Sequence, residues 1–312
     1  MTAPARPLDA GRRRSKPARD RFGDFVDRWL RAHSLLIYLF LYIPIVIVVI
    51  FSFNATDRRV TQWAGFSFKW YESVLNDTVV QSALFNSFVV ATCTAVLSTI
   101  FGSMAALGLQ RAPKWFRTPF EALTFISIIV PEIVIALATL VFFSSTFDVL
   151  NPLLDLQLKL GFQTIIVAHA LFNISLVMLL VRARLSGMDR THVEASYDLY
   201  GTPWRTFWQI TFPQLLPAIV AGFLLSFTFS FDDYIITTFV SGAGSTTLLL
   251  YVFSTIRRGV TPATNAVAAI MLLITLGILV IGQILIWRNA RRSGQRGAQA
   301  SVAGMITEQS GG

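Results

Sequence analysis

The chain has 312 residues, of which 54% are hydrophobic and only 14% charged, with a mean hydropathy of +0.60 and a formal net charge of +9. Soluble domains carry about 25% charged residues, so so few charges cannot clothe a water-facing surface of this length, and a soluble enzyme is excluded. The bases gather in the N-terminal tail, two short loops and the C-terminal tail. That is the pattern of a membrane protein's cytoplasmic side rather than of a basic groove, so no nucleic-acid partner is expected. Cys93 is the only cysteine and lies in an apolar run, which rules out internal disulfides and thiolate metal sites.

Residues 1–20 are rich in Pro, Arg and Ala and read as disordered. Phe22, Phe25, Val26, Trp29 and Leu30 then recur at helical spacing among Arg and Asp. This stripe predicts a short amphipathic helix lying on the membrane surface, closing a first segment at 1–33. Crossing about 30 Å of hydrocarbon takes roughly 20 apolar residues. Six stretches qualify, at 34–53, 83–107, 122–143, 164–181, 215–240 and 264–287. The first is too long for a signal-peptide core and lacks a small-x-small cleavage site, so it reads as a retained anchor. Open segments in lipid must be helical, because every backbone polar group has to be satisfied internally. The expectation is an all-α, polytopic protein with six transmembrane helices over 34–288 and a disordered tail at 289–312. With the N-terminus inside, only Arg58, Arg59, Lys69, Lys159, Arg257 and Arg258 of the 26 bases fall outside. That bias places both termini in the cytoplasm and the protein in the bacterial inner membrane.

The loop after the fourth span reads GMDRTHVEASYDLYGTPWRTFWQITFPQLLP, 187–217. Thr191 with Glu194 three residues on forms a capping box and predicts a helix start. Gly201 is placed to stop that helix. Thr202 then caps a second helix with Pro203 at its first position, and Pro213 and Pro217 close it and open span five. A helix–turn–helix elbow results, carrying Tyr200, Trp204, Phe207 and Trp208. Exposed aromatics of this kind point to a protein partner.

This segment resembles the coupling loop of ABC-importer permeases, whose pattern is Glu-Ala-Ala, three residues, Gly, nine residues, Ile-x-Leu-Pro. Glu194, Ala195, Ser196, Ile210 and Pro213 stand at the family spacing, with Phe212 at the Leu position. Tyr200 occupies the Gly position and Gly201 follows it, a departure that displaces the expected turn by one residue. The resemblance implies a type I importer permease core in which loop 187–213 docks on a separate ATPase subunit. It also implies a second homologous permease and an extracytoplasmic solute-binding protein. The alternative for Glu194 is a capping role alone, and the aromatics could instead pack on the chain's own helices.

WAGFSFKWY (63–71), FNISLVMLLVRARL (172–185) and SFDDYIITTFVSG (230–242) resemble the second permease subunit of spermidine/putrescine importers. Permeases for other amines, aminophosphonates or opines share much of the same pattern. Independently, ionisable residues inside a span are functional candidates, and there are three: Glu132, Asp232 and Asp233. At about 100° per residue, Ser226, Ser230, Asp233 and Thr237 share one face of span five, beside Phe223, Phe227, Phe231 and Tyr234. A carboxylate stripe next to an aromatic stripe suits an alkyl-ammonium through ion pairing and cation–π contact. Asp233 is therefore expected to face a cavity, with Asp232 second, Glu132 near the middle of span three and Asn173 near the middle of span four. His169 shares the face of Asn173. Packing aromatics, interhelical hydrogen bonds from His169 and Asn173, and a Glu132 that answers a kink at Pro131 are the competing readings.

No energy-converting site is visible. GAGSTT (242–247) lacks the Lys of a P-loop and reads as an extracytoplasmic turn. No metal motif or nucleophile motif appears, so no cofactor is expected and ATP hydrolysis falls to a partner chain. An intramembrane protease needs carboxylates facing one another from different helices, whereas Asp232 and Asp233 diverge on one. A passive channel has no use for a docking elbow.

Overall fold

The computed structural model describes residues 21–57 and 62–309, so the tail at 1–20 and the bases Arg58 and Arg59 lie outside the described residues. Every long element among those residues is helical, and six helices are long and apolar enough to cross a bilayer. The chain divides into two compact units at residue 50. The first carries most of α1 (Arg21–Ser52), whose residues from Leu35 to Ile50 hold almost continuous exposed apolar side chains. The surface stripe and the first span, expected as separate pieces meeting at residue 33, form this one helix. Nothing between Trp29 and Leu35 interrupts the backbone: there is no Pro or Gly, and helical hydrogen bonding carries through.

The second unit contains α2 (Lys69–Asn76), α3 (Thr78–Arg111), α4 (Lys114–Ile129), α5 (Glu132–Leu154) and α6 (Phe162–Ser186). It continues with α7 (Thr191–Asp198), α8 (Pro203–Thr206), α9 (Phe212–Phe231), α10 (Ile235–Val240), α11 (Leu248–Ile256) and α12 (Pro262–Gln309). At its centre α3, α6 and α9 pack against one another. Lipid supplies no hydrophobic drive between helices, so close backbone approach through small residues does the work. Ala91, Ala95, Ser98, Gly102 and Ala106 line the buried face of α3. A Cβ on Gly102 would come within 2.9 Å of both the Ile174 carbonyl and the Val177 Cβ on α6. On one flank Val74, Phe227, Phe231, Leu248 and Met271 join α2, α9, α11 and α12 to this centre. On the other, Ala136, Phe143, Ile165, Ile236 and Val240 join α5 and α10 to α6.

Three departures from the sequence reading have local causes. The third span, expected at 122–143, is divided: α4 stops at Ile129, and the membrane-length helix is α5, from Glu132 to Leu154. Pro131 forces the preceding residue out of the helical region, and Val130 sits at φ −61°, ψ 131°. Glu132 therefore opens a helix instead of lying mid-span. The fifth span is also broken, α9 ending at Phe231 and α10 beginning at Ile235. Before that break it is longer than expected, because Pro203–Phe231 is one helical run. Pro213 does not interrupt it; residues 207–211 widen into a π-helical turn, with the Phe212 amide bonding back to the Phe207 carbonyl. Such a turn absorbs the clash and missing donor of the proline. Finally, α12 stays helical to Gln309 where an irregular tail was expected from 289. Arg, Gln and Ala in that stretch are competent helix formers.

The α3–α6 contact yields a paired test. Gly102→Val should destabilise the protein by about 1–3 kcal/mol through overpacking, lowering its melting temperature in detergent by scanning fluorimetry. Gly108→Ala, on the same helix with nothing within 4 Å of the added methyl, should leave the melting temperature unchanged or raise it.

Candidate functional site

Two constellations stand out, an exposed elbow at one end of the second unit and a buried polar knot inside it. The elbow begins at α7. Its cap is not the expected Thr191/Glu194 box: Thr191 is itself the first helical residue, and Asp189 Oδ1 accepts its amide at 2.9 Å and its hydroxyl at 2.6 Å. The Thr191 hydroxyl holds the Asp189 carboxyl below its ordinary range. Glu194 is thereby released from capping and stands exposed, as does Ala195.

The end of α7 is a Schellman turn. The Tyr200 amide bonds to the Tyr197 carbonyl at 3.0 Å and the Gly201 amide to the Ser196 carbonyl at 2.8 Å. The left-handed residue is Tyr200, at φ 59°, and not Gly201. The turn thus sits at the position where the family pattern has glycine, with no displacement. Gly201 is small for another reason: a Cβ there would strike the Ser196 hydroxyl and come within 2.7 Å of the Ser196 carbonyl. The two limbs are pinned by a 2.8 Å bond between the Ser196 and Thr206 hydroxyls, and Thr202 caps the second limb through the Arg205 amide, with Pro203 following as expected. Tyr200 is 96% exposed and Trp204 72%, and Trp204 meets Trp208 edge to face at 5.7 Å. Ala195, Ser196, Gly201, Ile210 and Pro213 line a single open groove of about 620 Å³. Behind the elbow, Glu121 on α4 receives Arg117 at 2.5 Å and Arg182 of α6 at 2.7 Å. The Arg117 guanidinium, with Arg182 beside it, holds that carboxyl below its ordinary range.

The second constellation surrounds the break in the fifth span. Ser226, Ser230, Asp233 and Thr237 are all buried, as their shared face predicts, and that face meets His169 of α6. His169 Nδ1 lies 2.7 Å from the Ser230 hydroxyl, and Nε2 lies 3.1 Å from both Asp233 Oδ1 and the Thr237 hydroxyl. The Thr237 amide and hydroxyl donate to the same Asp233 oxygen at 2.8 and 2.9 Å. Asp233 thus caps α10, supplying the acceptor that the interrupted helix lacks. The expectation of a cavity-facing Asp233 is corrected accordingly, since burial against α6 satisfies three donors that lipid would leave unpaired. Asp232 is the exposed member of the pair. Glu132, exposed at the head of α5, brings its carboxyl within hydrogen-bonding reach of Asp233. Asn173 is buried and donates to the His169 carbonyl at 3.0 Å, while its own carbonyl oxygen and the Ser226 hydroxyl one turn nearer the elbow have no hydrogen-bond partner.

The aromatic stripe is mainly packing: Phe227 and Phe231 are buried against Phe88 at 5.9 and 5.4 Å. Tyr234 is the exception, stacked on Phe253 at 4.0 Å with its hydroxyl 3.4 Å from Arg257. Of the residues in the two constellations, Asp189 is the one that sequence reasoning passed over; for His169 the competing reading of an interhelical hydrogen bond is the one the structure shows, and Thr237 keeps its place on the polar face. The sequence signal for His169 was its place on the face of Asn173, four residues on; the partner opposite it, Ser230, came only with the structure. Among the described residues no cluster of His, Cys, Asp or Glu could hold a metal ion.

Comparison with known proteins places these features. Residues 98–293 match the family described as binding-protein-dependent transport system inner membrane component. The chain belongs to that family. It is 37% identical over 259 residues to the spermidine/putrescine transport system permease protein PotC of Haemophilus influenzae, covering 83% of this chain and 96% of the relative. It is also 37% identical over 270 residues to the putrescine transport system permease protein PotI of Escherichia coli, covering 86% and 93%. The fold is that of importer permeases. A bacterial ABC transporter for the acidic polysaccharide alginate superposes with a TM-score of 0.70 at 13% identity, over 86% of this chain and 98% of that one. The MetNI methionine transporter gives 0.55 at 15%, over 68% and 95%. Members of this family are transport components and not enzymes, and the chain is a multi-pass protein of the inner membrane.

The turn geometry separates two neighbouring residues experimentally. Tyr200→Gly should relieve the left-handed strain, worth about 1 kcal/mol, and leave or increase amide-exchange protection across residues 191–206. Gly201→Val should erase that protection by forcing the limbs apart.

Proposed function

We propose that this chain is one permease subunit of an ATP-driven, binding-protein-dependent importer of polyamines such as spermidine and putrescine. It would work with a second homologous permease, ABC ATPase subunits and an extracytoplasmic solute-binding protein. The observation that carries the reading is the elbow: the residues of the coupling motif converge on one groove, with Glu194 exposed beside it, in a chain aligned almost end to end with polyamine permeases. The distribution of bases supports an inside-facing elbow with both termini in the cytoplasm.

The mechanism follows from continuity. The second limb of the elbow and the fifth span are one run, Pro203–Phe231, about 43 Å long at 1.5 Å per residue. Closure of the ATPases around Glu194 and its neighbours would therefore move this rod directly, together with α6, and switch the access of the path. In this reading Glu132 and Asp232 present carboxylates to the cationic cargo, while Asp233, Ser230, Asn173 and Tyr234 form the polar wall beside them. An alkyl-ammonium needs such charge in a membrane interior, where an unpaired cation is expensive.

Replacing Glu194 by Ala or Arg tests the coupling role. Uptake of labelled putrescine and spermidine by cells carrying the complete system should fall at least tenfold, roughly the loss of one or more charge-assisted contacts, with membrane insertion unchanged. Uptake equal to wild type would refute coupling through the elbow, and import of another amine in preference to both polyamines would refute the cargo assignment.

A further inference from the structure

The knot at the break in span five divides the labour between its side chains, and the division rests on which oxygen each bond uses. His169 Nε2, the Thr237 amide and the Thr237 hydroxyl all converge on Asp233 Oδ1, at 3.1, 2.8 and 2.9 Å. The other oxygen, Oδ2, receives none of these three bonds. The ionisable groups around Asp233 are His169 from α6 and Glu132 from α5. A carboxylate accepts at Oδ1, so Nε2 of a neutral His169 carries the proton, and Nδ1 is left to accept from Ser230 at 2.7 Å. One imidazole therefore ties the end of α9, the break and the start of α10 to α6, which no backbone bond spans at that point.

We propose that His169 is a positioning residue for the cation path: it fixes the buried Asp233 carboxylate by one oxygen, and so holds in one place the negative charge that, with Glu132, sets the field a substrate ammonium meets. This deepens the polyamine-permease reading and rests on it. His169 itself does not touch the cargo. A rotamer of Asp233 free to swing would seat its charge in a new place with every approach of the substrate, and preorganised charge is what makes a polar site effective.

The chemistry of substitution provides the test, in the complete transporter reconstituted in proteoliposomes with its partner permease, ATPases and binding protein. A Gln side chain places its amide N–H near the position of Nε2, whereas Asn reaches only the position of Nδ1. His169→Ala should cut putrescine uptake per ATP hydrolysed roughly tenfold, the loss of one hydrogen bond to a charged group, and His169→Gln should restore most of it. His169→Asn, which retains only the Ser230 side of the bridge, should not restore it. In an Asp233→Asn background, His169→Ala should add little further loss, because the residue acts through that carboxylate. Thr164→Val is the control: it removes another buried bond between α6 and α10, from the Thr164 hydroxyl to the Val240 carbonyl at 2.7 Å, without touching Asp233. Rescue by Asn in place of Gln, full additivity with Asp233→Asn, or an equal defect in Thr164→Val would overturn the positioning role. If Asp233→Asn alone leaves polyamine uptake intact, the assignment of Asp233 to the path fails first. If the wild-type complex imports no polyamine, the cargo assignment fails independently of His169.

Discussion

A backbone amide or carboxylate inside a bilayer has no water to fall back on, so each interruption of a spanning helix has to be repaired by protein. The second unit of this chain interrupts its spans twice in the region that matters. At Pro131 the repair is geometric: α4 ends, α5 restarts, and the restart carries Glu132 to the edge of the fifth span's break. At Asp232–Asp233 it is chemical, with a carboxylate capping α10 and an imidazole from α6 holding both sides. The same requirement explains why Asp233 is buried and Asp232 is not. A helix start needs an acceptor on its protein-facing side, and only one of two successive side chains can point there.

These repairs are held in place by the close approach of α3, α6 and α9. Gly102 and Gly222 leave room for Val177 of α6 between the two helices that carry them. Small residues give little dispersion individually but let backbones approach until many contacts act together. The frame matters for function because α6 carries His169 in its first third and ends at the elbow, and the Pro203–Phe231 run joins the elbow to the break. The two constellations are thus opposite ends of the same two rods. The π-helical turn at 207–211 keeps the longer rod continuous where Pro213 would otherwise have cut it.

At the elbow, sequence pattern and structure agree on the helix–turn–helix form and differ on its cause. The spacing of Glu194, Ala195, Ile210 and Pro213 was legible because motif positions survive without knowledge of contacts. The roles of Thr191, Tyr200 and Gly201 were not, because each depends on what stands opposite. Asp189 displaces Glu194 as the capping partner simply by being nearer to the first amide. Tyr200 is held in a left-handed backbone by the two turn hydrogen bonds that close α7, while Gly201 is needed against Ser196.

The sequence by itself determined the membrane class, the six apolar stretches, the positive-inside bias and the importer family, since each is written in composition, run length or motif spacing. The helical face of Ser226, Ser230, Asp233 and Thr237 was equally legible, because side-chain direction follows from the period of the helix. What that face meets was settled only in three dimensions. Periodicity states which residues point the same way, but not whether a cavity or another helix lies there, and a buried histidine 64 residues earlier in the chain supplied the answer. The break at Asp232 was likewise decided by tertiary structure, whereas Val130 and Pro213 follow the local geometry of proline. An aspartate is compatible with either a helix or a stop, and the neighbouring helix whose groups it satisfies chooses between them.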